Sequence, residues 1–138
     1  MEISMKWKGG MKFGGVSQFG HPIETDVSLQ SGGEESGYRP IELLLFGLAG
    51  CTGFDVISIG QKMRLNITAL EINIKAEQRE EPPKAISKAH IEYIVSGEKI
   101  DPEKLERVIE LSEEKYCSVG ATLSGVTRIT HSYTIKEE

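Results

Sequence analysis

Apolar and polar positions alternate at the start of the chain. Ile3, Met5 and Trp7 would share one strand face, Gly9 and Gly10 make a turn, and Met11 with Phe13 opens a return strand. This predicts a hairpin. After Gly20, His21 and Pro22 a third strand is expected from Ile23 to Leu29, and the run from Ser31 to Gly37 then reads as a mobile polar loop. Pro40 suits a first helical position, and the residues that follow it up to Cys51 are apolar nearly all round, so this helix must be covered on every side. Gly47 and Gly50 each cost about 1 kcal/mol in a helix relative to Ala, which predicts a closely packed second backbone beside Cys51, such as the same helix of another copy. Apolar residues at positions 70, 72, 74 and 76, and again at 89, 91, 93 and 95, predict two strands with one buried face each, separated by Pro82 and Pro83. Asp101 is an N-cap, Pro102 takes the first helical position, and Ile100 with Leu105 has the spacing of a hydrophobic staple. That helix is expected to reach about Tyr116 and leave Cys117 just past its last turn, before a final strand from Ile129 to Ile135. The order predicts one α+β domain over residues 1–138, with helices gathered on one side of a mostly antiparallel sheet and a long buried helix at the centre.

Composition narrows the function. A chain of 138 residues with 38% hydrophobic and 27% charged residues fits ordinary globular usage. A net charge of -5 without a basic stripe removes the usual source of nucleic-acid affinity. The first ten residues carry three lysines and no apolar stretch of secretory length, which predicts a cytoplasmic protein. The most apolar segment, residues 43–54, is bracketed by Glu42 and Asp55 and reads as too short to span a bilayer.

In a reducing compartment the two cysteines are not expected to form a permanent staple, and their separation of 66 positions is no local CxxC pair. Cys51, mid-helix among apolar neighbours, can be an inert buried thiol. Cys117 stands in a turn where a thiol can be exposed and mobile. Used together, two thiols suffice to reduce an O–O bond through a sulfenic acid and a disulfide, without metal or organic cofactor. The first thiol then needs a cation to offset burial, and Arg39 and Lys12 are the candidates.

Three blocks resemble the OsmC and organic hydroperoxide resistance (Ohr) family, in its OsmC-like branch. They are Pro40-Ile41-Glu42-Leu43-Leu44-Leu45, Gly50-Cys51-Thr52-Gly53-Phe54-Asp55-Val56 and Leu111-Ser112-Glu113-Glu114-Lys115-Tyr116-Cys117-Ser118-Val119. The resemblance implies an OsmC-like fold, an intertwined homodimer with both sites at the interface, and a peroxidatic Cys51 resolved by Cys117. It also implies an assisting Arg and Glu, an organic hydroperoxide substrate and an external dithiol reductant. The chain departs from the better characterised branch in two places. Glu42 stands one position later than the family's Glu, and on a straight helix it would sit about 180° around from Cys51 and roughly 13 Å along the axis. The early strands offer Lys12 but no arginine, leaving Arg39 as the substitute. Asp55, one turn after Cys51, would disfavour a thiolate or else fix the cation. The rival reading is a protein that keeps the fold without catalysis and binds a small apolar ligand or senses redox state.

His21, His90 and His131 lack ligand spacing, and no metal site is expected from them. His131 alternates with Ile129, Tyr133 and Ile135 as a satisfied core or interface histidine.

Overall fold

Gly9 and Gly10 adopt φ of 96° and 56°, a region open to glycine, and turn the chain between strands β1 (Met5–Trp7) and β2 (Phe13–Val16). The Trp7 indole donates to the Gly10 carbonyl across this turn at 2.9 Å. Strand β3 (Pro22–Thr25) adds antiparallel to β2 and stops short of the expected Leu29. The reason is Asp26. Its carboxylate accepts hydrogen bonds from the N–H groups of Val27, Glu34 and Ser36 and from the Ser36 hydroxyl, at 2.8–3.1 Å. The segment expected to be a mobile loop is therefore wound around one buried acid. Gly33 is required there, because a Cβ would lie 2.2 Å from the Val27 carbonyl oxygen.

The structure is a computed structural model that describes residues 1–138, and it divides into two compact units, Met1–Leu45 and Phe46–Glu138. Helix α1 (Pro40–Lys62) begins in the first unit and continues in the second. At its head the Glu42 carboxylate accepts from the Arg39 N–H at 2.9 Å, the reach-back bond of a capping box. At its end Arg64 takes φ of 61°, Leu65 N–H donates to the Gly60 carbonyl and Arg64 N–H to that of Gln61, a Schellman closure with arginine where glycine is usual.

With 23 residues, α1 is long and apolar enough to cross a membrane, which corrects the expectation drawn from its central segment. One of its faces is nonetheless occupied by the protein itself: Leu48, Thr52, Asp55, Val56 and Gly60 are buried. The close approaches fall at Gly53 and Gly60, where a Cβ would meet Ile72 at 3.0 Å and Ile67 at 3.2 Å, and not at Gly47 or Gly50. Phe54, 70% exposed, shows that the chain alone does not cover the helix on every side.

In the second unit β4 (Ile67–Gln78), β5 (Ile86–Gly97) and β6 (Arg128–Glu137) form one sheet with β5 at the centre. β4 runs antiparallel to β5, whereas β6 runs parallel to it, so the antiparallel expectation holds except at this edge. The alternation along β5 buries Ala89, Ile91, Tyr93 and Val95. Helix α2 (Pro102–Leu111) starts as expected, with the Asp101 side chain accepting from the Glu103 N–H at 2.9 Å, and it buries Leu105, Val108 and Ile109.

Burial opposes ionisation of Asp26, but the Ser36 hydroxyl and the three backbone donors outweigh it and hold the pKa at about 2. A depressed carboxylate contributes stability that is complete above its unfolded value and lost as pH falls through its folded one. Denaturant unfolding of the protein and of Asp26→Ala should therefore differ most near neutral pH, with the gap closing as pH falls from about 4 towards 2. A gap that does not change with pH would exclude this role.

Candidate active site

Residues four apart on a helix face the same way, so Cys51 and Asp55 stand one above the other on α1. Their neighbours Leu48, Thr52 and Val56 are fully buried, which turns this face into the interior of the second unit. The Thr52 hydroxyl is satisfied within the helix, donating to the Leu48 carbonyl at 3.1 Å. Cys51 lies on the flank of the buried stripe and is only partly covered. It is neither sealed in hydrocarbon nor open.

The second thiol arrives by a different route. Helix α2 runs into a π-helical turn (Ser112–Tyr116), a wider winding often found at functional sites. Its first residue, Ser112, donates its hydroxyl proton to Asp55 Oδ2 at 2.8 Å, and its carbonyl accepts the Cys117 N–H, also at 2.8 Å. Cys117 then caps the short helix α3 (Ser118–Leu123), its sulfur accepting the Gly120 N–H at 3.2 Å. The expected exposed, mobile thiol is thus corrected: Cys117 is 3% exposed and held on both sides.

The result is a convergence. The sulfurs of Cys51 and Cys117 and a carboxylate oxygen of Asp55 lie within 4.8 Å of one another. A disulfide needs its sulfurs at about 2.05 Å, so the two thiols have to close by at most about 2.8 Å to bond. Burial, followed by the neighbouring Cys51 thiol, pushes the Cys117 pKa up, and only the Gly120 N–H opposes the rise. Cys117 is therefore held as a neutral thiol.

Two further groups lie near this centre: Arg128, which sequence reasoning missed, and His131, whose acidic partners it did not foresee. A cavity of about 290 Å³ is lined by Cys117, Glu113, Arg128, Leu48, Ile91 and Ile129 among others, but not by Cys51. Arg128 is the one positively charged residue on its wall. Beside it His131 lies between two acids, Nε2 at 3.0 Å from Glu106 and Nδ1 at 2.7 Å from Glu113, the second contact close but not aligned as a hydrogen bond. Burial raises the Glu113 pKa, with His131 pulling against it. His131 is thus a satisfied histidine, as its alternation suggested. Tyr93, whose ring meets His131 edge-on at 6.4 Å, is fully buried, and burial raises its pKa with the Thr52 hydroxyl in partial opposition. Only the strand register could have revealed Arg128 and the acidic partners of His131, since both residues come from β6.

Lys12, Arg39 and Glu42 belong to the first unit and His90 to the second. Lys12 is paired with Glu34, whose hydrogen bond and charge raise the lysine pKa. Glu42 receives the Arg39 N–H, and the Arg39 guanidinium is exposed and forms no salt bridge. His90 bridges Thr130 and Ser132 at 2.7 and 2.9 Å.

Comparison with known proteins gives concordant matches. The family model described as OsmC-like protein matches residues 32–132. Protein YhfA of Escherichia coli K12 is 36% identical over 135 residues, covering 98% of both chains. The crystal structure of a hypothetical protein from Aquifex aeolicus VF5 superposes with a TM-score of 0.87 at 31% identity, over 99% of this chain and 96% of that one. An organic hydroperoxide resistance protein OsmC from Legionella pneumophila, described as a predicted redox protein, shares the fold at a TM-score of 0.72 and 14% identity, over 97% of each chain.

Ser112→Ala should leave the buried Asp55 carboxylate without its donor and lower unfolding stability by about 1–3 kcal/mol, measured by denaturant melts. A loss within a few tenths of a kcal/mol would mean that Asp55 is not held by Ser112.

Proposed function

The chain belongs to the OsmC-like protein family, and from that premise we propose that it is a thiol-dependent peroxidase that reduces organic hydroperoxides in oxidative stress defence. The observation that carries this reading is the approach of the two sulfurs to within 4.8 Å. Cys51, the partly accessible thiol, is the peroxidatic residue, and the buried Cys117 resolves it. The Cys51 thiolate attacks one peroxide oxygen. An S–O bond forms as the O–O bond breaks, and the alkoxide leaves as the alcohol after taking a proton. The Cys117 sulfur then displaces hydroxide from the sulfenic acid, giving the disulfide, and its own proton leaves with that hydroxide as water. Asp55, beside both sulfurs, is placed to carry this proton. An external dithiol returns two electrons.

Arg128 offers positive charge on the cavity wall, and Leu48, Ile91 and Ile129 offer an apolar lining for an organic tail. Arg39 and Glu42 enter as assisting residues through the family resemblance, and Glu42 already caps α1. The reducing cytoplasm suits a disulfide that must be reopened. The same cavity favours a second reading, binding of a small apolar ligand or redox sensing without turnover.

Peroxide consumption with a dithiol separates the two readings. Cys51→Ser should fall to the uncatalysed rate, Cys117→Ser should complete one turnover and stop, and Asp55→Asn should accumulate a sulfenic acid that a nucleophilic trap captures. Equal, negligible consumption by the unaltered protein and Cys51→Ser would overturn the peroxidase reading and favour the ligand-binding one.

A homodimer belongs to the same proposal. Phe54 and Ile57 are exposed on α1, and a Cβ at Gly50 would meet no atom within 4 Å, leaving room for a second backbone. Light scattering should give twice the chain mass, and Phe54→Glu should give a monomer. A monomer in the unaltered protein would contradict it.

A further inference from the structure

We propose that Cys51, Cys117 and Asp55 form a binding site for a thiophilic divalent cation, with Zn²⁺ as the ion that fits best. Three donor atoms, two sulfurs and one carboxylate oxygen, lie within 4.8 Å of one another. Tetrahedral Zn²⁺ takes Zn–S bonds of about 2.3 Å and Zn–O bonds of about 2.0–2.2 Å, which sets donor separations of roughly 3.5–3.8 Å. The three groups therefore need to close by at most about 1.3 Å, a movement within side-chain rotation.

The protein also supplies the support that such a site needs. Asp55 is 6% exposed, and its contacts include no cation. A carboxylate taken out of water without a counter-charge is costly, and a divalent ion would neutralise it. Ser112 donates to Oδ2 at 2.8 Å and so fixes the carboxylate, the outer-shell bond typical of metal-ligating carboxylates. Cys51 and Asp55 are set by one turn of a helix, and Cys117 by its own N–H and the Gly120 N–H, so all three ligands come from rigid elements. Two thiolates select Zn²⁺ over Mg²⁺ or Ca²⁺, which prefer oxygen. The fourth coordination position stays open, as in sites with three protein ligands.

Occupancy has a consequence for chemistry. Sulfurs held by the ion cannot join each other, so the bound cation and the disulfide exclude one another, and Zn²⁺ becomes a reversible block of turnover. That consequence rests on the peroxidase reading, whereas the binding itself does not.

The test is a titration of the reduced full-length protein with Zn²⁺ alone against a chromogenic chelator, repeated with Co²⁺ as a spectroscopic substitute. One equivalent per chain is expected, with the sulfur-to-cobalt charge-transfer band of a thiolate-ligated tetrahedral ion. Cys51→Ser and Cys117→Ser should each remove that band. Ser112→Ala, which keeps all three ligands, should weaken binding by about 10–100-fold. His131→Ala should leave affinity unchanged. Affinity equal in the cysteine variants, loss of binding in His131→Ala, or a cobalt spectrum without the sulfur band would overturn the site. No peroxide enters the titration, so failure of the peroxidase reading and failure of this site are read separately.

Discussion

The Ser112–Asp55 hydrogen bond joins two stretches of chain that carry one cysteine each. Asp55 lies one turn beyond Cys51, and Ser112 receives the Cys117 N–H, so a single buried bond of 2.8 Å sets both thiols in the same small volume. A buried carboxylate tolerates few arrangements, because each of its oxygens needs a donor or a cation. That restriction gives the site its order. The π-helical turn supplies the register that brings Ser112 under Asp55 and lets Cys117 enter α3 as its cap.

In the proposed mechanism, placement divides the labour between the thiols. Cys51 keeps partial access from outside, whereas Cys117 is enclosed, hydrogen-bonded and held neutral by burial. An attacking thiol needs access to the peroxide, and a resolving thiol needs only its partner. The two environments match those needs, and a neutral resolving thiol does not compete for the peroxide. The same closeness that the proposed disulfide needs also suits a chelating pair, so both proposals draw on these residues.

Much of the frame was legible before any coordinates. Ala89, Ile91, Tyr93 and Val95 alternate because β5 is the central strand, and Asp101 with Pro102 marks a helix start through local bonds alone. The cysteine blocks were recognisable as a pair, although nothing in their local pattern brought them together. Features set by distant contacts were not legible. Cys117 read as an exposed turn residue because its cover comes from elements far off in sequence. Asp26 gave no local sign that it organises the segment to Ser36, and the parallel course of β6 hid Arg128 and the acidic partners of His131 from a linear reading. The early strands pointed to Lys12 as a cation, yet it is engaged by Glu34.

The most direct test of the central claim is peptide mapping of the reduced protein after one equivalent of an organic hydroperoxide. The account requires a single disulfide within one chain between Cys51 and Cys117, formed without loss of the fold. Recovery of Cys117 as a free thiol beside an over-oxidised Cys51, or a disulfide only between chains, would contradict it.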